Sequence, residues 1–211
     1  MNQKKSNYQI QSEKLQLEFI KWDHEAIAKK FNLNLDKQYL YIDFVGQKYR
    51  INRQAGITEN SKDGRSYETK AGFNEIMSFL DLFYYSKDEP KLSGRWDTIQ
   101  SVSRLAHSGT FVASSHFDRY AKSFSGKCKE FEKACLILHG KPANYADISY
   151  IIKTFDFLPV MIQFWDCDDE FPAQLKLLWD ENILDYVHFE TTYYIADHLL
   201  NRIKEIIEMT E

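Results

Sequence analysis

The chain has 211 residues and a mass of 25.0 kDa, with 44% hydrophobic and 15% aromatic residues, 8 Gly and 4 Pro. A chain of this size buries about 70% of its extended surface on folding, and this composition excludes a disordered, collagenous or linker-like polymer. The net charge of -4 is unevenly spread: residues 1–159 carry 24 Lys+Arg against 19 Asp+Glu, and residues 160–211 carry 3 against 12. An acidic final quarter repels phosphates and suits a cation, a basic partner or a basic surface of the same molecule.

Residues 6–33 show helical spacing at Leu15, Phe19 and Trp22; Asp23 then has the character of an N-cap, with Glu25 in the first turn of a second helix reaching Phe31. The run YLYIDFVGQKYRI alternates on both sides of Gly46 and predicts a hairpin: Tyr39 to Phe44, a Val45-Gly46-Gln47 turn, then Lys48 to Ile51. Residues 52–70 are polar and predict an exposed loop or a short polar strand pair. Phe73, Ile76, Met77, Leu80 and Phe83 form one stripe of a helix from Gly72 to Tyr85. Within residues 95–113, Trp96, Ile99 and Val102 suit a short helix and residues 109–112 an extended piece. Ser115 to Phe124 and Lys127 to Leu138 read as two helices broken at Ser125-Gly126.

The pattern then changes. Asp147–Phe157, Leu158–Trp165 and Leu175–Trp179 are strand-like, the last two joined by the acidic segment DCDDEFPAQ, and a closing helix runs from about Glu190 to Met209. Helices and strands in blocks favour an α+β fold, an antiparallel sheet with helices packed on it, as a single compact domain over residues 1–211. No apolar run approaches the roughly 20 residues of a membrane span, and the N-terminus lacks a secretory pattern. Three cysteines, Cys128, Cys135 and Cys167, make no disulfide framework, so a reducing cytoplasm is the expected compartment.

The stretch LPVMIQFWDCDDEFP, followed by LKLLWDENILDY and ADHLL, resembles a prokaryotic family known only as a domain of unknown function, number thirty-seven eighty-six. Weaker agreement lies in FVGQKYRI, in Ser93-Gly94-Arg95-Trp96 and in His116-Phe117. The resemblance implies a cytoplasmic protein, mostly of anaerobic microbes. Some relatives add a cysteine-rich iron–sulfur segment or sit near corrinoid methyl-transfer proteins; the N-terminal half here has no cysteine for such a cluster. The family supplies no catalytic residues.

In an extended segment Asp166, Asp168 and Glu170 point to one side, where hard oxygen ligands hold Mg²⁺ or Ca²⁺. The calcium-loop pattern fails, however, and an acidic hairpin tip with Asp turn caps reads the same residues without an ion. Cys135 and His139 have i, i+4 spacing for zinc, but cysteines seven apart, Cys128 and Cys135, are more often buried small hydrophobes. Ser114, Ser115, His116 and Asp118 are too close in sequence to form a triad, and Ser115 reads as a helix cap. His116 and Arg119 suit an anionic ligand. Nucleotide-phosphate loops are absent, and the basic, aromatic stretch from Arg104 to Lys141 reads as a solvated helix face over a core stripe. Trp96, Trp165, Trp179, Tyr193 and Tyr194 either line a concave site or fill a core.

The reading that follows is a cytoplasmic binding or accessory domain. Its acidic loop (Trp165, Asp166, Asp168, Asp169 and Glu170, with His116, Arg119 and His188 as further ligand contacts) meets a basic protein partner, a small molecule or a cation. A metal-dependent hydrolase or transferase on Asp166, Asp168 and Glu170, with His116 or His188 as acid–base, is the alternative, and an accessory protein of corrinoid methyl transfer a second. Nucleic acid and membrane are disfavoured.

Overall fold

A computed structural model describes residues 7–61, 64–67, 69–103 and 114–210. Among these the fold is α+β, with two antiparallel sheets rather than one. Helices α1 (Asn7–Phe19) and α2 (His24–Phe31) lead into the first sheet, and Asp23 caps α2 by accepting the Ala26 N–H at 2.9 Å. Strands β1 (Tyr39–Phe44), β2 (Gln47–Asn52), β3 (Thr58–Ser61) and β4 (Thr69–Lys70) follow in spatial order 1-2-3-4. The β1–β2 turn holds Val45 at φ 46° and Gly46 at φ 71°, both in the left-handed region that a two-residue hairpin of this hand requires. A β-branched residue pays for that conformation, and Val45 is held in it by burial and by its N–H donating to Thr154 O at 2.8 Å. That bond ties the first sheet to the second.

Of the two forms expected for residues 52–70, the short polar strand pair is the one observed: β3 and β4 pair antiparallel and complete the sheet, and Thr58, Asn60 and Ser61 are buried. Helix α3 (Phe73–Tyr85) carries the expected apolar stripe. Trp96 lies in a strand, β5 (Trp96–Thr98), and the short helix α4 (Ile99–Ser103) starts only after it; the expected extended piece at residues 109–112 lies outside the described residues. Helices α5 (Ser114–Phe124) and α6 (Cys128–Ile137) break at Gly126, φ 75°.

The second sheet adds β6 (Lys141–Pro142), β7 (Ile148–Phe155), β8 (Leu158–Trp165) and β9 (Gln174–Asp180) in order 5-9-8-7-6. The central strand β8 is buried along nearly its whole length, which explains its continuous apolar run. Helix α7 (Phe189–Thr210) closes the fold against α3 and α6. Phe44 stacks on Phe155 and on His198 with centroids 4.6 Å apart in each case, and meets Phe79 edge-on at 5.2 Å, so β1, β7, α3 and α7 converge on one aromatic hub. No described helix is long and apolar enough to cross a membrane.

Candidate functional site

The acidic segment forms the β8–β9 hairpin connection, with Trp165 paired to Gln174 at its base. Its carboxylates do not act alike. Asp166 turns onto the α5–α6 junction: it accepts the Gly126 N–H at 2.9 Å, the Cys128 thiol at 3.2 Å and the Cys167 N–H at 2.8 Å. Partial burial raises its pKa, but these donors outweigh that and hold the carboxyl below the usual carboxylate range. Asp168 folds back on its own turn, accepting the N–H groups of Glu170 and Phe171, which lower its pKa. Asp169 and Glu170 are exposed. Among the described residues no three His, Cys, Asp or Glu side chains gather as a metal ion would need, so Asp166, Asp168 and Glu170 are not brought to one point. Trp165 lies at the edge of the turn under the Lys176 ammonium, 5.4 Å from its ring centre.

The other expected contacts lie apart from this turn. His116 and Arg119 both meet Asp197 of α7, at 3.3 and 3.0 Å, and Tyr120 donates to the same carboxylate at 3.1 Å. Both side chains are therefore partnered within the molecule. His188 sits before α7, with Nδ1 2.6 Å from Asp81 of α3. Cys135 is fully buried, and His139 has left the helix with φ 56°, so the i, i+4 zinc spacing is not realised. Ser115 falls inside α5, whose first residue is Ser114, and so does not precede it as a cap. Tyr120, Phe124 and Phe131 are core residues, not a stacking platform.

A cleft of about 990 Å³ opens elsewhere, between the first sheet, α3 and α7. Gln47, Asn60, Glu75, His198, Asn201 and Arg202 line it. The sheet register sets Asn60 opposite Tyr49. The buried Tyr49 hydroxyl donates to Gln47 Oε1 at 2.9 Å and lies 3.3 Å from His198 Nε2, while Asn60 Nδ2 donates to the same Gln47 oxygen at 3.2 Å. Glu75 stands in the first turn of α3, its carboxylate packed under Gly72, where a Cβ would meet Oε2 at 2.9 Å. Its Oε1 lies 3.7 Å from His198 Nδ1. Burial drives both groups toward their neutral forms: the Glu75 carboxyl is raised, and the His198 imidazole is pushed down to about 3, with Arg202 adding to the fall. The Tyr49 hydroxyl is likewise held protonated, chiefly by burial.

Two polar atoms in this cluster are buried without a partner among the described residues: Asn60 Oδ1 and Arg202 Nε. The Arg202 guanidinium meets Glu205 through NH1, which leaves its buried Nε without a partner among these residues. Residue-type patterns in the sequence pass over this site, because Asn60 stands in a polar run that looks solvated. A usable signal lies in α7, where His198, Arg202 and Glu205 recur at helical spacing on one face.

A second, mostly apolar pocket of about 300 Å³ lies under β9, lined by Phe117, Leu175, Trp179 and Tyr193 among others. Trp179 is buried, Tyr193 stacks on Phe117 with centroids 5.9 Å apart, and Tyr194 packs on Phe73. The aromatic load therefore serves mainly as core and pocket wall. Neither cleft is lined by the acidic turn, by His116 or by His188.

Residues 23–202 match the sequence profile of a family described as Domain of unknown function (DUF3786). No curated protein and no solved structure matches the chain.

Proposed function

The chain belongs to that family, and we propose that it is a binding module for a small polar ligand held in the cleft between the first sheet, α3 and α7. The observation that carries this reading is the pair of buried, unpartnered polar atoms, Asn60 Oδ1 and Arg202 Nε, in the wall of a roomy cleft. An unpaired buried polar atom costs about 1–3 kcal/mol, and a ligand bearing one donor and one acceptor removes that cost at both atoms. Both atoms are covered, so a ligand reaches them only when the Asn60 and Arg202 side chains move. Neutral His198, and a Glu75 carboxyl that burial pushes toward its neutral form, add hydrogen-bonding capacity beside the two unpartnered atoms, which suits polar ligands such as amides, sugars and nucleosides. No chemical step is assigned, since the Tyr49 hydroxyl is buried and held protonated.

The test is a thermal-shift and native mass-spectrometry screen with amides, sugars, nucleosides and cobalamin, the last probing the corrinoid link. A bound compound at a hundredfold excess over its Kd stabilises the fold by about 2.7 kcal/mol. Asn60→Leu is expected to abolish that gain while raising the stability of the empty protein. If no compound shifts the wild type and Asn60→Leu simply weakens the fold, the cleft is not a ligand site.

The acidic turn supports a second reading, contact with a basic segment of a protein partner. Asp169 and Glu170 are exposed and form no ion pair among the described residues. A lysine-rich peptide that binds at low salt, is released at high salt and fails to bind an Asp169→Lys, Glu170→Lys variant supports it; equal binding by that variant removes it. The metal-dependent alternative has less support, because Asp166 and Asp168 already receive five N–H or S–H donors between them.

A further inference from the structure

The β8–β9 turn brings Cys167 against the start of α6, where Cys128 is the first helical residue. Cys167 is exposed and Cys128 half-buried, whereas Cys135 lies deep in the core. The first two thiols converge on one Ser125–Asp166 pair. The Cys128 thiol donates to Asp166 Oδ2 at 3.2 Å. The Ser125 hydroxyl stands 3.0 Å from Cys167 Sγ and 3.2 Å from Asp166 Oδ1. Asp147 supports the arrangement by accepting the Asp166 N–H at 3.0 Å. Three stretches of chain, 125–128, 147 and 166–167, thus meet at two sulfurs that are 39 positions apart in sequence.

We propose that Cys128 and Cys167 form a redox modification site, in which a small-molecule disulfide oxidises the pair to an intramolecular disulfide. The exposed Cys167 thiolate attacks one sulfur of the incoming disulfide. A mixed disulfide forms, and the first small-molecule thiolate leaves. Cys128 then attacks Cys167 Sγ. Its proton passes to water as the sulfur attacks. The second small-molecule thiolate leaves and is protonated. Two protein thiols are oxidised and one disulfide is reduced to two thiols, so electrons and protons balance.

The order of attack follows from the surroundings. Burial and the Asp166 carboxylate raise the Cys128 thiol to about 11, which keeps it from reacting first with solvent reagents. Within a mixed disulfide at Cys167 that handicap is offset by proximity, since the attack is intramolecular. Closing the bond withdraws the Cys128 donor from Asp166 and so alters how the acidic turn is seated on the α5–α6 junction. This site is independent of the polar cleft, which contains none of its residues.

The full chain is incubated with oxidised glutathione, alkylated with iodoacetamide and examined by intact and peptide mass spectrometry. The expected product has lost two hydrogens and gives a Cys128–Cys167 cross-linked peptide, with Cys135 alkylated only after unfolding. Before oxidation, Cys167 is alkylated at least about tenfold faster than Cys128. In Cys128→Ser the glutathione adduct remains on Cys167, and in Cys167→Ser neither adduct nor cross-link forms. A wild-type protein that keeps a stable glutathione adduct on Cys167 while Cys128 is still free to alkylate overturns the proposal, as does one that does not react.

Discussion

His198 is where burial, charge and pH meet in one side chain. Its ring is stacked on Phe44 and has Tyr49 at Nε2 and Glu75 near Nδ1. With a folded pKa of about 3 against about 6.5 for an unfolded histidine, the folded state binds fewer protons than the unfolded state between those values. Its contribution is therefore complete above pH 6.5 and drains as pH falls toward 3. Glu75 has the opposite sign: with a raised pKa, its contribution is present below pH 4.5 and is lost as pH rises through the folded value. A His198→Gln variant, which cannot charge, should lose less stability than the wild type between pH 7.5 and pH 4.5, by on the order of 2 kcal/mol. Urea denaturation at the two pH values measures this, and parallel losses in both proteins would contradict it. In the sequence this histidine stands only inside ADHLL, as part of a family resemblance with no role attached, because neither its Tyr49 partner, 149 positions away, nor its stacking on Phe44 leaves a local trace. Asp180 shows the reverse. The stretches Ser93-Gly94-Arg95-Trp96 and Trp179-Asp180 stood out separately, and the fold joins them: Asp180 accepts the N–H groups of Ser93, Gly94 and Asn182, while Arg95 meets Glu181. What these two motifs encode is a structural clasp at the β5–β9 edge.

Among the elements, legibility followed length and apolar content. The β1–β2 hairpin, α3, β8 and α7 were visible because each has enough turns or alternations to reveal its period and because tight turns demand particular residues. The three-residue β5 was not, since so short a strand carries no periodicity and is fixed only by its neighbour. The polar pair β3 and β4 was legible only as one of two alternatives, beside an exposed loop, because the buried Thr58, Asn60 and Ser61 carry the composition of a loop. How that region docks is set by Gly56, which has φ +67° and presses on α1 so closely that a Cβ would lie 2.2 Å from Gln16 O. Gly56→Ala combines a left-handed penalty with a backbone clash, and a loss of about 3 kcal/mol is expected. Chemical denaturation gives the value, and hydrogen exchange should accelerate in α1; an unchanged α1 would mean that the contact does not hold that helix.

Across the whole molecule, the acidic excess of the final quarter is answered in part from within. Glu181 meets Arg95, Asp185 meets Lys87 and Asp197 meets Arg119, each partner lying in the basic earlier part of the chain, while Glu205 and Glu208 pair along α7. The sequence asymmetry is thus in part an intramolecular complement, and Asp169 and Glu170 of the β8–β9 turn are acidic side chains left facing outward. These surface pairs add little stability each, so the coupling of the two sheets falls to the hub around Phe44, which touches β7, α3 and α7 at once. Phe44→Ala removes a fully buried ring and should cost about 3–5 kcal/mol. If the hub makes one cooperative unit, that cost appears equally in amide exchange of β2 and of β8, a strand of the other sheet. Faster exchange confined to β1–β4 would instead mean that the first sheet opens alone, and that the α7 wall of the polar cleft can stand without it.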